Sequence, residues 1–162
     1  MTFETQTILL TEDNEDDIFI FERAFRKSGA TNRLEVVRDG QEAHDYLAGA
    51  GKFADRKQFP LPALMLLDLK LPLRNGLELL EWLRSQPKLK NLPVVVLTSS
   101  AEHRDLDAAR ELGARYYLVK PPTPKTIAEI IALFRAEWEG RVATQEIKPE
   151  GDWFNRSENA QR

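Results

Sequence analysis

Five short apolar segments recur along the chain, and each is followed by a segment whose apolar residues have helical spacing. The apolar segments are residues 7–10, 34–37, 64–67, 94–97 and 116–119. Three of them are unbroken hydrophobic blocks, which are typical of strands buried on both faces. Strands separated by helices cannot pair as hairpins, so the alternation predicts a parallel sheet with right-handed crossovers. The predicted fold class is α/β, a doubly wound (βα)5 domain.

Local signals predict where the helices begin and end. Asp39, with Glu42 three residues later, has the pattern of an N-cap, and Thr123 followed by Pro124 begins the last helix. Glycine residues end two helices, at positions 29 and 113. The predicted helices are residues 14–28, 40–47, 76–85, 103–112 and 124–138, and the last carries a stripe of Ile127, Ile130, Ile131, Phe134 and Trp138. Residues 50–62 are predicted to form a long loop.

Composition excludes several classes of function. A net charge of −3 and a pI near 5.5 argue against nucleic acid or an anionic membrane as the main partner. The absence of cysteine excludes thiol nucleophiles and cysteine-ligated metal centres. The N-terminus lacks the pattern of a secretion signal, and no apolar run approaches the ~18 residues of a membrane span. A cytoplasmic location is therefore expected.

Polar residues follow the predicted strands where each strand ends. Glu12 and Asp13 follow the first strand, Asp68 the third, Thr98 the fourth and Lys120 the fifth. Parallel strands place their carboxyl ends at one edge of the sheet, which is where ligands bind in such folds. Carboxylates without histidine or cysteine partners are the ligands that Mg²⁺ prefers. The sequence therefore predicts a site that binds Mg²⁺ at this edge.

The acidic residues near the N-terminus divide into two groups. Five of the six residues from 12 to 17 are acidic. Glu15, Asp16 and Asp17 are explained as acids that favour the N-terminus of the first helix. Glu12 and Asp13 lie at the end of a buried strand, where adjacent like charges need a compensating cation.

Asp68 is either a plain metal ligand or a nucleophile. An isolated Asp at a strand end is usually a cap or turn residue, but here it has charged companions. The chemistry that fits is transfer of a phosphoryl group to Asp68, with Mg²⁺ on Asp13 and Asp68 and with Lys120 opposite to neutralise charge. Thr98 is then placed to donate a hydrogen bond to the phosphoryl group.

With these residues in this order, the chain resembles the response-regulator receiver domains of two-component signalling, from residue 6 to about residue 138. The resemblance rests on residues 10–14, residues 66–69 with Leu71-Pro72 and Asn75-Gly76, residues 96–99, and Lys120-Pro121. It implies a flavodoxin-like sheet of order 2-1-3-4-5. It also implies that residues 1–140 form a receiver domain and residues 141–162 a short tail without a separate output domain.

The resemblance further implies the roles of individual residues. A sensor histidine kinase would phosphorylate Asp68. Mg²⁺ would be held by Asp13, Asp68 and the backbone carbonyl of Lys70, with Glu12 contributing indirectly as part of the acid pocket. Lys120 would bind the phosphoryl group.

Two further features are implied in the same way. Thr98 and Tyr117 would move together on phosphorylation, although Tyr117 has the plainer interpretation of strand packing beside Tyr116. The Lys120–Pro121 peptide is expected to be cis.

More narrowly, the chain is similar to stand-alone receivers that are partnered with bacterial phytochrome-type kinases. The shared features are the 50–62 loop, residues 97–100 and the aromatic last helix. This resemblance predicts that the output is contact with another protein. A homodimer through the face of the fourth helix, fifth strand and fifth helix is also predicted, because Trp138 lies in this region.

Other functions compete with this interpretation. A phosphatase of the haloacid-dehalogenase type needs a second Asp where Lys70 stands. A pseudo-receiver would bind a partner without phosphorylation, but no pocket residue is missing. His44 and His103 are expected to face solvent, so a histidine kinase is disfavoured. About 22 residues follow the last helix, too few for a DNA-binding output module.

Overall fold

The computed structural model describes residues 2–99 and 103–140 of the chain, without the side chains of residues 103 and 104. Its strands are β1 (Ile8–Thr11), β2 (Leu34–Val37), β3 (Leu64–Asp68), β4 (Val94–Thr98) and β5 (Tyr116–Val119). Its α-helices are α1 (Glu15–Lys27), α2 (Gly40–Ala48), α3 (Gly76–Ser85), α4 (His103–Glu111) and α5 (Pro124–Trp138). Two 3₁₀ turns, Phe3–Thr5 and Gly51–Phe53, complete the set. The predicted tail, residues 141–162, lies outside the described residues.

The five strands form one parallel sheet in the order β2-β1-β3-β4-β5. This confirms the predicted fold class and strand order. Thr11 at the end of β1 lies beside Leu67, and Asp68 at the end of β3 lies beside Leu97. The strands therefore end close to one another at the carboxyl edge of the sheet.

Helices cover both faces of the sheet because successive strand residues point to opposite sides. On one face, Met65 and Val96 belong to a core with apolar residues of α2, α3 and α4. On the other face, Leu66 belongs to a second core with α1 and α5, which includes Phe21 and Phe134. Burial of strands on both faces accounts for the unbroken hydrophobic blocks of the sequence.

Side-chain caps begin the helices where the sequence predicted them. Asp39 Oδ1 accepts a hydrogen bond from the Glu42 backbone N–H at 2.7 Å, and Thr123 Oγ1 accepts one from Thr126 at 3.1 Å. Each bond satisfies a backbone N–H that has no partner within its own helix. Both predicted caps are confirmed.

The 50–62 loop has more structure than the sequence indicated. Besides the turn at Gly51–Phe53, the rings of Phe53 and Phe59 pack on Tyr46, with ring centroids 5.1 and 6.0 Å from it. The Arg56 guanidinium donates to the backbone carbonyls of Tyr46 and Leu47 at 2.7 and 2.8 Å. Because these carbonyls lie in the last turn of α2, Arg56 fixes the loop to the end of that helix.

The apolar stripe of α5 is buried as far as Phe134, and Trp138 is 45% exposed at the end of the helix, in an edge-type ring contact with Phe3. One expectation about side-chain environment is wrong, that of a solvent-facing His44. His44 is half-buried, and its ring centroid lies 4.2 Å from that of Trp82. The side chain of His103 lies outside the described residues. Among the described helices, none has the length and apolar character of a membrane span.

Candidate functional site

The carboxyl edge of the sheet brings Lys120 between two buried carboxylates. Lys120 Nζ lies 2.8 Å from Asp68 Oδ2 and 2.6 Å from Glu12 Oε2. Glu12 is 1% exposed and Asp68 is 7% exposed, so all three groups are largely removed from water. The Lys120–Pro121 peptide is cis, as expected. The structure therefore contains the pairing between Lys120 and Asp68 that the strand-end positions indicated.

Three carboxylates form an acidic cluster beside this lysine. Glu12, Asp13 and Asp68 each offer one carboxylate oxygen, and these oxygens lie within 4.8 Å of one another. Asp13 is exposed, whereas the other two are buried. Hard oxygen ligands at this spacing, with one open to water, fit a divalent cation that keeps part of its hydration shell. The donor set therefore suits Mg²⁺ or a similar cation.

Burial shapes the electrostatics of the cluster. Burial raises the pKa of Glu12 to about 7; Lys120 opposes this effect and the Asp68 charge adds to it. Burial alone would lower the pKa of Lys120, but hydrogen bonds to Asp68 and Glu12 outweigh it and raise that pKa above its ordinary value. Lys120 thus stays charged, whereas the Glu12 carboxyl group is costly to ionise without a further cation.

The Asp68 carboxylate is held at both oxygens and still reaches a cavity. Its Oδ1 accepts a hydrogen bond from the Lys70 backbone N–H at 2.9 Å, while Oδ2 faces Lys120. A cavity of about 50 Å³ borders Asp68, Lys70 and Thr98, and its lining also includes Asp105 and Leu106 of α4. This carboxylate is therefore oriented without being sealed from solvent. Coordination by the Lys70 carbonyl stays a prediction.

Thr98 and Tyr117 lie on the same side of the sheet. Tyr117 is half-buried against the core that faces α2, α3 and α4. Val96, two residues before Thr98, belongs to the same core, so the alternation of β4 places Thr98 on that side as well. The Thr98 carbonyl accepts a hydrogen bond from the Lys120 backbone N–H at 2.8 Å. Thr98 thus connects the end of β4 to the lysine of the site.

Asp17 belongs to the site, although the sequence interpretation assigned it to the helix terminus. Its Oδ2 lies 3.3 Å from Lys120 Nζ. Helical spacing could have indicated this position, because Asp17 precedes the buried Phe21 by four residues and therefore lies on the same face of α1. Glu15, by contrast, pairs with Arg38 at the surface.

The loop between β3 and α3 is anchored against the start of α2. The Gly40 backbone N–H donates to the Pro72 carbonyl at 3.0 Å, and the Gly76 N–H donates to the Leu69 carbonyl at 2.9 Å. Between these two anchors, Leu73 has φ of +68° and is 83% exposed. The loop that carries Lys70 is thus positioned by backbone contacts to two helix starts.

Comparison with known proteins agrees with this arrangement. Residues 8–132 match the response regulator receiver domain. The chain belongs to this family. The receiver is 37% identical over 136 residues to the probable methanogenesis regulatory protein FilR2 of Methanothrix harundinacea (strain 6Ac), with 82% of this chain and 83% of that protein covered. It is 34% identical over 133 residues to the response regulator Rcp1 of Synechocystis sp. (strain ATCC 27184 / PCC 6803 / Kazusa), with 82% and 88% covered.

Solved structures point to the same group. The receiver is 41% identical to the bacteriophytochrome response regulator RtBRR, with a TM-score of 0.71 over 81% of this chain and 78% of that one. It is 33% identical to the Mn²⁺-bound form of response regulator Rcp1, with a TM-score of 0.67 over 85% and 97%. The receiver is therefore a signalling domain homologous to phytochrome response regulators, and its acidic cluster is consistent with binding of a divalent metal.

Proposed function

We propose that this receiver accepts a phosphoryl group on Asp68 from a sensor histidine kinase in a Mg²⁺-dependent reaction. The observation that carries the proposal is the position of Asp68, whose Oδ2 lies 2.8 Å from Lys120 Nζ while the carboxylate borders a cavity. A nucleophilic carboxylate needs positive charge beside it when an anionic donor approaches, and Lys120 supplies a fixed charge there.

The chemical step uses groups that the fold holds in place. One Asp68 oxygen forms a bond to phosphorus while the bond from phosphorus to the donor nitrogen of a phosphohistidine breaks, and the electron pair stays on that nitrogen. The Lys70 N–H orients the carboxylate through its bond to Oδ1. Lys120 then donates to the developing negative charge on the phosphoryl oxygens. Hydrolysis reverses the modification when water attacks phosphorus and releases phosphate.

Asp13, Asp68 and the Lys70 carbonyl would hold Mg²⁺, and Glu12 would lie behind them as part of the acid pocket. The bound cation would supply positive charge that neutralises the incoming phosphoryl oxygens. The close approach of the three carboxylates, within 4.8 Å, supports this assignment because they repel one another and Lys120 supplies only one compensating charge.

Thr98 and Tyr117 are proposed as the switch. Thr98 borders the same cavity as Asp68, so its hydroxyl is placed to bind a phosphoryl oxygen after a small movement. Such a movement would change the packing that Tyr117 finds on the same side of the sheet, next to α4. Contacts with other proteins would change at the face of α4, β5 and α5.

The chemical proposal is tested by incubating the receiver with Mg²⁺ and acetyl phosphate and measuring the intact mass. We expect a gain of one phosphoryl group, which disappears in Asp68→Asn and on removal of Mg²⁺. Asp55→Asn is the matched control: Asp55 is exposed in the 50–62 loop, and the new amide oxygen can still accept the hydrogen bond from Lys57. A native chain that gains no mass would instead favour a pseudo-receiver that binds partners without phosphorylation.

The switch is tested with fluorotyrosine-labelled protein, in which Tyr117→Phe assigns the Tyr117 fluorine resonance. Phosphorylation should shift this resonance in the wild type and leave it in place in Thr98→Ala. An equal shift in both proteins would exclude the coupling between Thr98 and Tyr117.

The partners follow from the same proposal. Similarity to the bacteriophytochrome response regulator RtBRR supports a phytochrome-type histidine kinase as the donor. A cytoplasmic location is proposed with it. A homodimer through the face of α4, β5 and α5 is supported by Trp138, which is 45% exposed at the end of α5. Sedimentation that shows only monomer, with and without phosphorylation, would exclude the dimer. Residues 1–140 as the receiver domain, and a tail without output domain, stay predictions.

A further inference from the structure

Asp17 is directed inward by the first turn of α1, unlike the two acids before it. The Asn14 side chain caps this helix by accepting a hydrogen bond from the Asp17 backbone N–H at 2.9 Å. Asp17 then lies on the face of α1 that packs toward the sheet, four residues before the buried Phe21. Asp16 is exposed, and Glu15 bonds Arg38 at the surface. Asp17 is thus the acid of the first turn that faces the site, and the neighbouring Asp16 is an exposed aspartate with which it can be compared.

Lys120 has as many carboxylate neighbours as it has N–H donors. An ammonium group carries three N–H bonds and accepts none. Carboxylate oxygens of Glu12, Asp68 and Asp17 lie 2.6, 2.8 and 3.3 Å from Nζ. The Glu12 side chain is 2% exposed, whereas that of Asp17 is 37% exposed. Asp17 is therefore the most distant and most hydrated of the three neighbours, and the one that Lys120 can release at least cost.

We propose that Asp17 is a positioning residue that holds Lys120 at the mouth of the site and competes with the incoming phosphoryl group for it. This inference rests on the proposed function of Asp68. A phosphoryl group on Asp68 brings new anionic oxygens to the side where Lys120 lies. Lys120 donates hydrogen bonds to Asp68 and Asp17 and lies in ionic contact with Glu12. Movement toward the new oxygens would lengthen one of these contacts, and Asp17 is the neighbour nearest to solvent. The Asp17 charge also repels the phosphoryl group directly.

The competition predicts that removing the Asp17 charge strengthens phosphoryl binding. Asp17→Asn should bind beryllofluoride, a non-transferable mimic of a phosphoryl group on a carboxylate, about three- to tenfold more tightly at saturating Mg²⁺. This is the size expected for one unit charge a few ångströms away in partly aqueous surroundings. Fluorine NMR of the bound species measures the affinity directly and does not depend on turnover.

Asp16→Asn is the matched control because it removes the same charge from the adjacent residue of the same helical turn. Its beryllofluoride affinity should stay within about twofold of the wild type, since charge effects between exposed groups are strongly screened. Asp17→Glu, which keeps the charge and can still reach Lys120, should restore the wild-type affinity. The Nζ resonance of Lys120 should shift in Asp17→Asn and stay in place in Asp16→Asn.

The outcomes separate this inference from the function on which it rests. If the wild type binds no beryllofluoride, the proposed phosphorylation of Asp68 fails. If the wild type binds it and Asp17→Asn has the same affinity as Asp16→Asn, or a lower one, the competition for Lys120 is refuted while the function of Asp68 stands.

Discussion

Gly40, at the start of α2, is the position where one added methyl group is expected to disturb the site from a distance. A Cβ atom built on Gly40 would lie 1.8 Å from the Arg74 carbonyl oxygen and 2.6 Å from the carbonyl carbon. Real Cβ atoms keep at least 3.0 Å from such neighbours, and both contacts are backbone atoms that no side-chain rotation can move. Gly40→Ala must therefore displace the loop between β3 and α3.

The cost of this displacement has two parts. Overpacking in a well-packed region costs about 1–3 kcal/mol. The hydrogen bond from Gly40 to the Pro72 carbonyl, 3.0 Å long, is strained or lost at about 1 kcal/mol. We expect Gly40→Ala to reduce the free energy of unfolding by about 2–4 kcal/mol, which lowers Tm by roughly 5–12 °C in a chain of this size.

The same displacement should weaken metal binding, because the loop carries the Lys70 backbone beside Asp68. Thermal unfolding followed by circular dichroism, with and without Mg²⁺, measures both effects: the variant should have a lower Tm and a smaller Mg²⁺-dependent rise in Tm. Gly51→Ala is the control. Substitution of Gly51 costs about 1 kcal/mol because of its φ of +58°, but the added Cβ atom would meet no other atom within 4 Å. A Gly40→Ala protein with wild-type stability and a wild-type Mg²⁺ response would refute the reasoning.

Three further predictions follow from other contacts. Without divalent cations, the free energy of unfolding should fall as pH rises from about 5 to 8, because burial raises the Glu12 pKa from its ordinary value of 4.5 to about 7, so the folded state binds the proton more tightly. Calorimetry should show that the stability of Glu12→Gln declines less over this pH range than that of the wild type. An equal decline in both proteins would contradict the assignment to Glu12. Arg84→Met should cost about 2–4 kcal/mol in urea unfolding, because Arg84 donates to four backbone carbonyls near the ends of α3 and α4; Arg84→Lys should recover little of this. Leu73→Asn should raise the free energy of unfolding by about 0.5–1 kcal/mol, because Asn tolerates the φ of +68°, and a loss of stability would contradict this.

The parts of the fold that were predicted correctly depend on local or topological rules. Asp39 and Thr123 cap their helices as expected, because an N-cap bond joins residues only three apart. The approach of Lys120 to Asp68 was also foreseeable, since parallel strands separated by helices must end at the same edge of the sheet. Neither inference required knowledge of which side chains pack together.

The parts that were missed depend on contacts between distant segments. Trp138 shares the periodicity of the α5 stripe but lies at the end of the helix, where its ring meets Phe3 and borders an open cavity that Leu61 also lines. His44 lies on α2 and is half-buried because Trp82 of α3 packs against it. Helical spacing identifies a face of a helix but does not tell how much of that face its neighbours cover.

Arg56 and Arg84 show the same limit for polar residues. In the sequence each is an ordinary charged residue near a turn. In the structure each donates to the backbone carbonyls at the end of a helix, α2 for Arg56 and α4 for Arg84. Such roles depend on which backbone carbonyls lack hydrogen-bond donors in the folded chain, and the pattern of residues along the sequence does not show this.

The sequence alone determined the α/β class with its parallel sheet, the helix limits and the residue types at the carboxyl edge, because alternating apolar periods and strand-end positions are properties of short segments. Only the tertiary structure decided that Lys120 contacts three carboxylates rather than one, that Asp17 is the third, and that the 50–62 loop is packed onto α2. The physical reason is that the charge and hydration of a group depend on every segment packed around it, and those segments come from distant parts of the chain.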